Sequence, residues 1–220
     1  MSTIKIIATN DGSSSLYNEE LDETYHSRHG AVQESAYVFI EQGLRFLLTR
    51  HKPQPVSILE VGFGTGLNVL LTLYEALQGG TQINYTSLET FPISEEVWTK
   101  LNYPDPQQLF SKIHQSPWGQ WSELNSNFRL KKINNQVQNE AFMPGDFDLI
   151  YFDAFAPNKQ PEMWELPVLA KIVDAMKPGA VFVTYCAKGQ LKRDLKSLGL
   201  NVESLPGPPG KREMVRAVKS

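Results

Sequence analysis

Three glycines at alternate positions, Gly62, Gly64 and Gly66, follow one apolar run and precede a second that contains Asn68. The order of strand, glycine turn and helix predicts a loop that presents backbone N–H groups and a helix N-terminus to a ligand. The spacing is G-x-G-x-G, which lacks both the G-x-G-x-x-G of dinucleotide sites and the Lys-Ser/Thr ending of a P-loop. The loop therefore favours close backbone approach to a ligand over the binding of a pyrophosphate.

Three carboxylates fall at the ends of predicted strands. Glu60 lies at the end of the first strand, Glu89 ends the second, and Asp153 follows the fourth. The carboxyl ends of parallel strands meet at one edge of an open α/β sheet, where such sheets bind ligands, and an acid like Glu89 can accept both ribose hydroxyls of an adenosine. The acids suit the sulfonium and amino group of S-adenosylmethionine better than the diphosphate of NAD. These residues alone also allow a structural interpretation, in which the glycines serve packing and the acids are solvated strand ends without a ligand.

A sheet is needed to bring these residues together, and the chain predicts one. From about residue 56, short β-rich runs alternate with helical patterns, which is typical of a parallel sheet covered by helices. The predicted helices are 67–77, 94–101, 162–176 (closed by Lys177, Pro178 and Gly179) and 191–198, and the predicted strands are 56–61, 83–88, 128–133, 147–152, 180–185, 202–205 and 213–218. The sequence thus predicts an α/β, Rossmann-like fold with a seven-stranded, mostly parallel sheet.

The N-terminal part has a different pattern. Residues 4–9 and 16–17 predict a β-hairpin around a turn-rich segment, and residues 31–49 predict an amphipathic helix. We expect residues 1–52 to form a hairpin-and-helix cap packed on the core, and residues 53–220 to form the Rossmann-like domain. Residues 102–127 read as a long connection without an assigned element, in which Trp118 and Trp121 are expected to be packing anchors.

Composition limits the possible settings. The 220 residues carry a net charge of −3 and a single cysteine, Cys186, and no apolar run approaches the ~20 residues of a membrane helix. We therefore expect a cytoplasmic protein without a membrane or metal partner; His26 and His29 are spaced HxxH but lack a third ligand. Any nucleic-acid contact must come from a local basic patch, which is Lys188, Lys192, Arg193, Lys196, Lys211 and Arg212.

The segment FDAFAPNKQPEMW, residues 152–164, carries a specific resemblance. It is similar to a signature of the methyltransferase domain of the MnmC family, bacterial tRNA-modifying enzymes, and the EVGFGTGLN, ETFP and GKREM stretches resemble the same family. The resemblance covers nearly the whole chain. It implies a class I S-adenosylmethionine-dependent methyltransferase that N-methylates the 5-aminomethyl group of the wobble (2-thio)uridine in a tRNA anticodon loop.

The resemblance also implies roles for individual residues. Asp153 is expected to be catalytic, by holding the acceptor amine and helping its proton leave; a contact to the cofactor's amino group alone is the other interpretation. Phe155, Tyr185 and Tyr25 are candidates to stack on the uridine, and Lys211 and Arg212 to contact the RNA. The residues expected to bind the cofactor are Glu60, Gly62, Phe63, Gly64, Gly66, Asn68, Glu89, Gln136 and Asp153.

The chain departs from the family in two respects. The bifunctional members carry a second, FAD-dependent oxidoreductase domain, so we expect a stand-alone methyltransferase whose aminomethyl-uridine substrate comes from separate enzymes. After the third predicted strand the family has Gly-Asp, where this chain has Asn135-Gln136, so an amide takes the place of the adenine-binding acid. The alternatives are an S-adenosyl-dependent transferase acting on another small amine, a nicotinamide-dependent oxidoreductase, and a non-catalytic RNA-binding module.

Overall fold

The computed structural model describes residues 4–220, so residues 1–3 of the predicted N-terminal cap lie outside the described residues. The chain begins with a three-stranded antiparallel sheet formed by β1 (Ile4–Ala8), β2 (Ser14–Asn18) and β3 (Glu23–Thr24). The predicted hairpin is confirmed, since Ile4 pairs with Asn18 and Ala8 with Ser14 around the turn. The short strand β3 extends it into a sheet.

A continuous helix follows, as predicted. It begins as α1 (Ala31–Ser35), winds as a π-helix over Ala36–Arg45 and ends as α2 (Phe46–Arg50). Gly43 brings the helix against the central sheet, because a Cβ there would lie 3.1 Å from both Tyr151 and Val183. The buried apolar residues of this helix therefore share one core with the sheet.

The central sheet has eight strands, one more than predicted, in the order β10-β11-β9-β8-β4-β5-β7-β6. The five strands from β9 to β7 in that order are parallel, and β11 and β6 join the two sides antiparallel. The strands are β4 (Val56–Val61), β5 (Ile83–Glu89), β6 (Trp121–Asn125), β7 (Phe128–Asn134), β8 (Phe147–Phe152), β9 (Met176–Thr184), β10 (Leu200–Pro206) and β11 (Glu213–Lys219). The predicted α/β fold is confirmed.

The additional strand comes from the segment that sequence patterns left unassigned. Residues 102–127 contain α5 (Leu109–Gln115) and the edge strand β6, which pairs with β7. Trp118 packs against the core as predicted, but Trp121 is 42% exposed and the prediction of a packing anchor there is wrong. On β6 its side chain points to solvent, where the Arg129 guanidinium lies over its ring.

The helices on the two faces are α3 (Leu67–Gly79), α4 (Glu95–Trp98), α6 (Leu166–Ala175) and α7 (Gly189–Ser197). The helix predicted over 162–176 is a 3₁₀ turn, Pro161–Trp164, followed by α6. Pro167 explains the break, because a proline fits only in the first turn of a helix, so a new helix begins here after the extended residue Glu165. Lys177, Pro178 and Gly179 belong to the start of β9 rather than to a closing turn.

Two apolar clusters, one on each face, hold the sheet between its helices. Each is built from the alternating side chains of the same strands, so that Leu149 belongs to one cluster and Ile150 to the other. Within residues 4–220, no helix has the length and apolar content needed to cross a membrane.

Candidate active site

A cavity of about 1410 Å³ opens at the carboxyl ends of the central strands. Its walls are the loops after β4, β5, β7 and β8, together with the segment between β2 and α1. The predicted site residues that line it are Tyr25, Gly62, Phe63, Gly64, Asn68, Glu89, Asp153, Phe155, Tyr185 and Lys211. The parallel strands thus bring most of the predicted residues to one place.

The glycine loop lies against the end of β8. Gly62 has φ of 98°, and a Cβ there would lie 2.5 Å from the Asp153 carbonyl oxygen. Gly66, with φ of 77°, begins α3 at the back of the loop and does not line the cavity. Gly64 donates its N–H to Glu89 Oε2 at 2.9 Å. Glycine is needed at Gly62 because no side chain fits between the two strand ends.

The side chain of Phe63 faces away from the cavity. It is 3% exposed, and its ring meets Trp118 at 5.7 Å and His114 at 5.3 Å between centroids. The Lys132 ammonium lies over Trp118 and donates to the His114 carbonyl at 2.7 Å. Phe63 therefore supports the loop from behind, and its part of the cavity wall is the loop itself.

Glu89 is fixed at the end of β5 by two backbone donors. Its Oε2 accepts from Gly64 and its Oε1 accepts from the Phe91 N–H, both at 2.9 Å. The two contacts orient the carboxylate, and the oxygens keep lone pairs for further donors such as ribose hydroxyls.

The loop after β7 places Asn135 and Val137, rather than Gln136, on the cavity wall. Gln136 is exposed and accepts a hydrogen bond from Asn139 at 3.3 Å. Strand β7 ends at Asn134 and the chain then turns, with the N–H groups of Asn139 and Glu140 both donating to the Gln136 carbonyl, so this turn sets the directions of the side chains. Asn135 is held by a 2.9 Å hydrogen bond from its amide to Glu140.

One lysine of α6 holds this loop from outside. Lys171 Nζ donates to the carbonyl oxygens of Val137, Gln138 and Glu140. Three carbonyls on one ammonium fix the backbone of the loop. Sequence patterns did not single out Lys171, because a lysine on an amphipathic helix normally faces solvent.

Asp153 lies half-buried at the end of β8, on the wall of the cavity. Its N–H donates to the Val61 carbonyl at 2.9 Å, and its Oδ2 accepts from Asn68 Nδ2 at 2.9 Å. Burial, reinforced by the negative charge of Glu34, raises the pKa of Asp153 to about 7, against the opposing effects of Asn68 and Lys211. A carboxyl group with a pKa near neutrality can take up and release a proton at physiological pH.

Glu60 is fully buried beneath the loop, and burial raises its pKa to about 8. Its Oε2 accepts from Ser87 Oγ at 2.5 Å. Its Oε1 and the Oδ1 of Asn68 are buried without a hydrogen-bond partner among the described residues. Asn68 lines the cavity, so its unpaired Oδ1 fits a ligand that brings a donor, such as an amino group.

Aromatic side chains form the opposite wall. Tyr25 and Phe155 meet edge to face with 5.0 Å between centroids, and both line the cavity. Tyr185 also lines it and donates its hydroxyl to the Ala154 carbonyl at 2.8 Å. These rings, predicted as base-stacking candidates, are thus brought together beside Asp153.

A buried carboxylate that sequence patterns did not assign, Glu34, also lines the cavity. Its Oε1 lies 2.6 Å from Lys211 Nζ, and its Oε2 accepts from the Ser27 N–H at 2.6 Å. The Lys211 ammonium lies 3.6 Å above the centre of the Tyr185 ring. Glu34 could not be assigned from the sequence, because residues 31–49 carry an ordinary amphipathic pattern and burial of one of their acids has no sequence signal.

Of the predicted basic patch, Lys211 alone lines the main cavity, and the other residues lie outside it. A second groove of about 440 Å³ adjoins the cavity and is lined by Lys188, Lys211 and Arg212. Lys192 forms an ion pair with Glu213 at 2.7 Å, while Arg193 and Lys196 are exposed on α7. Arg212 does not line the main cavity but belongs to this groove.

The two histidines of the HxxH spacing have structural contacts. His26 Nδ1 lies 3.1 Å from Ser15 Oγ, and burial lowers the pKa of His26 to about 4. The His29 ring occupies the space above Gly210, where a Cβ would collide with it. Within residues 4–220, no three His, Cys, Asp or Glu side chains are grouped so as to hold a metal ion.

Residues 106–220, over half of the chain, match the model of a family described as S-adenosyl-L-methionine-dependent methyltransferases. The chain belongs to this methyltransferase family. Its cofactor is therefore S-adenosylmethionine, as the strand-end acids predicted, and the nicotinamide and non-catalytic alternatives are set aside. The site fits this cofactor, because it offers carboxylates, unpaired buried acceptors and a glycine loop without a pyrophosphate cradle.

Relatives of known assignment point to one branch of this methyltransferase family. The chain is 32% identical over 215 residues to the tRNA 5-methylaminomethyl-2-thiouridine biosynthesis bifunctional protein MnmC of Nitrosospira multiformis, covering 91% of this chain and 35% of that protein. It is 31% identical to the MnmC protein of Idiomarina loihiensis, covering 94% of this chain and 38% of that protein. The chain thus spans about a third of the length of these relatives.

Solved structures agree with the fold. MnmC2 from Aquifex aeolicus superimposes with a TM-score of 0.82 at 27% identity, over 99% of this chain and 70% of that chain. Spermidine synthase from Thermotoga maritima superimposes with a TM-score of 0.64 at 15% identity, over 100% of this chain and 70% of that chain. The second likeness shows the fold alone.

Proposed function

We propose that this methyltransferase transfers a methyl group from S-adenosylmethionine to the 5-aminomethyl nitrogen of a wobble (2-thio)uridine in a tRNA anticodon loop. The observation that carries the proposal is Asp153, a half-buried carboxyl group with a pKa near neutrality that lines one cavity with aromatic side chains. The similarity of this protein to MnmC proteins over nine-tenths of the chain supports the choice of substrate.

The reaction is an in-line displacement in which the cofactor supplies an electrophilic methyl group. The acceptor nitrogen must be neutral to attack, whereas an alkylamine has a pKa of around 10 like that of lysine. We propose that Asp153 holds the amine and accepts its proton, directly or through water, as the N–C bond forms and the C–S bond breaks. Asn68 keeps the carboxylate in place through its 2.9 Å hydrogen bond.

The cofactor contacts are proposals of the same kind. We propose that Glu89 binds the ribose hydroxyls, that Gly62 and Gly64 approach the methionine moiety, and that Asn68 accepts from its amino group. Glu60 supports Asn68 and the loop from below. The side chain of Asn135, in place of Gln136, faces the region beyond Glu89 where the adenine would lie.

Other residues of the cavity and of the adjoining groove are proposed to bind the RNA. We propose that Phe155, Tyr25 and Tyr185 enclose the extruded uracil, and that Lys188 and Arg212 contact phosphates beside it. We further propose that residues 1–52 act as a cap on a core of residues 53–220, and that separate enzymes supply the aminomethyl-uridine. A cytoplasmic location follows if tRNA is the substrate.

The experiment offers three acceptors, a modified stem-loop, an unmodified stem-loop and free alkylamines, to purified protein with S-adenosylmethionine labelled in its methyl group. We expect label in 5-methylaminomethyl-2-thiouridine, identified by mass spectrometry of nucleosides, when an anticodon stem-loop carries the 5-aminomethyl base at the wobble position. An unmodified stem-loop is the control. Label that appears only in free small amines would favour the transferase of other amines and reject tRNA as the substrate.

A further inference from the structure

Lys211 is held in the cavity by a contact set that differs from that of a surface lysine. Its ammonium is paired with Oε1 of Glu34, whose side chain is 7% exposed, and lies over the ring of Tyr185. The Lys211 N–H donates to the Pro208 carbonyl at 2.9 Å, and Gly210 lets the loop pack against His29. Backbone and side chain are therefore both fixed before a ligand arrives.

These contacts make Lys211 a poor phosphate ligand. A cation neutralised by a buried carboxylate attracts a phosphate weakly, whereas Lys188 and Arg212 in the adjoining groove have side chains without a hydrogen bond or ion pair within residues 4–220. An ammonium has three N–H donors, and its ion pair with Glu34 engages at most one of them. Lys211 still has N–H groups for a neutral acceptor inside the cavity.

The proposed substrate offers such an acceptor next to its reacting group. In a 5-aminomethyluridine the C4 carbonyl and the aminomethyl carbon are on adjacent ring atoms, so a pocket must bind a donor and an acceptor side by side. Asp153 suits the amine, and Lys211 lies close enough to influence its pKa while lining the same cavity. A carboxylate for the amine and an ammonium for the carbonyl match this pair of groups.

We propose that Lys211, fixed by Glu34, donates a hydrogen bond to the C4 carbonyl oxygen of the uracil and so selects 5-aminomethyluridine over 5-aminomethylcytidine. The inference rests on the proposed function, since it concerns the base bound in that site. A cytosine presents an amino group at C4, which would set two donors against each other and leave both unpaired. Hydrogen bonds to charged groups are strong enough to give a selectivity of about 10-fold or more.

The test measures kcat/KM for methyl transfer to two stem-loops that differ only in carrying 5-aminomethyluridine or 5-aminomethylcytidine at the wobble position. The natural protein is expected to prefer the uridine by at least about 10-fold. Lys211→Met should reduce the preference about 10-fold by slowing the uridine substrate, and Lys211→Arg, which keeps donors, should retain most of it. Glu34→Gln keeps the lysine but removes the negative charge that positions its ammonium. This variant should lower the preference for uridine by less than Lys211→Met does.

The matched control is Lys192→Met, which breaks the Lys192–Glu213 ion pair outside the cavity. It should leave the ratio of the two substrates unchanged, whatever its effect on RNA binding. S-adenosylmethionine affinity by calorimetry verifies that each variant keeps the pocket. Equal slowing of both substrates by Lys211→Met in a variant that binds the cofactor overturns the inference; methylation of neither stem-loop by the natural protein overturns the proposed function with it.

Discussion

At the residue scale, Asp153 has the property that its proposed role requires. Burial raises its pKa to about 7, and the charged or polar groups that face it are Glu34 on α1, Asn68 on α3, Glu60 on β4 and Lys211 before β11. The ionised form holds and deprotonates an amine, so the rate should rise with pH through about 7. A bound sulfonium cation favours the carboxylate and moves this rise to lower pH in the complex.

Asp153→Asn tests this role with a side chain of the same size. Loss of a general base costs about 10²- to 10⁴-fold, so kcat should fall by that range and lose its rise with pH. The measurement is a pH profile of kcat at saturating cofactor for both proteins. A variant that keeps kcat but binds the cofactor weakly would show instead that Asp153 only contacts the cofactor's amino group.

Glu60 makes the stability of the cofactor-free protein depend on pH. Its folded pKa of about 8 lies above the unfolded value, so the folded state holds a proton that the unfolded state loses. The protein should therefore lose stability as pH rises from about 4.5 to about 8. Glu60→Gln removes the contribution of Glu60 and leaves that of Asp153, so the melting temperature of the variant relative to the natural protein should rise across that range; a constant difference would contradict the assignment.

Single residues also show where the sequence was insufficient. The acids at strand ends could be predicted, because a strand pattern fixes both the end and the edge of the sheet. Gln136 was predicted to face adenine, but the direction of one side chain in a loop depends on contacts such as that of Asn135 with Glu140. Glu34 and Lys211 are far apart in sequence, and their pairing exists only after the N-terminal helix packs on the core.

At the element scale, the glycine loop depends on close approach of two strand ends. Gly62→Ala should place a methyl group against the Asp153 carbonyl in addition to imposing a positive φ on alanine. The conformational cost is about 1–2 kcal/mol and overpacking adds about 1–3 kcal/mol. Displacement of Asp153 should also lower kcat substantially, since positional errors of about 1 Å can cost 10²-fold.

Gly199→Ala separates the two costs. Gly199 also has a positive φ, of 85°, but a Cβ there would meet no atom within 4 Å. The free energy of unfolding of this variant should fall only by the cost of a positive φ on alanine, and its activity should not change. Equal losses in denaturant unfolding for the two variants would show that the contact with Asp153 is not tight.

The elements were predictable where their patterns were strong. The central strands β4 and β8 are buried on both faces and β7 alternates buried with exposed residues, and both are patterns of strands, so their positions follow from the sequence. The edge strand β6 has the sequence WSELN, with one face in solvent and its only strand partner on one side, and nothing local distinguishes it from a loop. The break before α6 is encoded by Pro167, which a helical apolar pattern obscures.

At the scale of the whole molecule, the cavity and the adjoining groove differ in charge. The cavity wall carries six acids and two lysines, which are Glu20, Glu23, Glu34, Glu89, Asp153, Glu162, Lys159 and Lys211, whereas the groove carries Lys188, Lys211, Arg212 and one acid, Glu213. The cavity therefore favours an amine, and the groove favours phosphates. A net charge of −3 therefore remains compatible with binding of RNA through one local surface.

The double variant Lys188→Ala, Arg212→Ala tests this surface. Each lost phosphate contact should reduce the slope of log Kd against log salt by about 0.7–0.9, so tRNA binding should weaken and depend less on salt. Cofactor binding should not change. Lys52→Ala is the control, because Lys52 precedes β4 and so lies near the amino ends of the parallel strands, whereas the cavity lies at their carboxyl ends. An unchanged slope in the double variant would place the RNA on another surface.

The size of the cavity has a kinetic consequence. Its volume of about 1410 Å³ exceeds the roughly 300–1,000 Å³ of a site for one small ligand. S-adenosylmethionine and the acceptor base can therefore occupy the cavity together, and the methyl group can pass between them without a methylated protein intermediate. Initial rates measured against both substrates should give intersecting rather than parallel double-reciprocal lines, the pattern of a ternary complex.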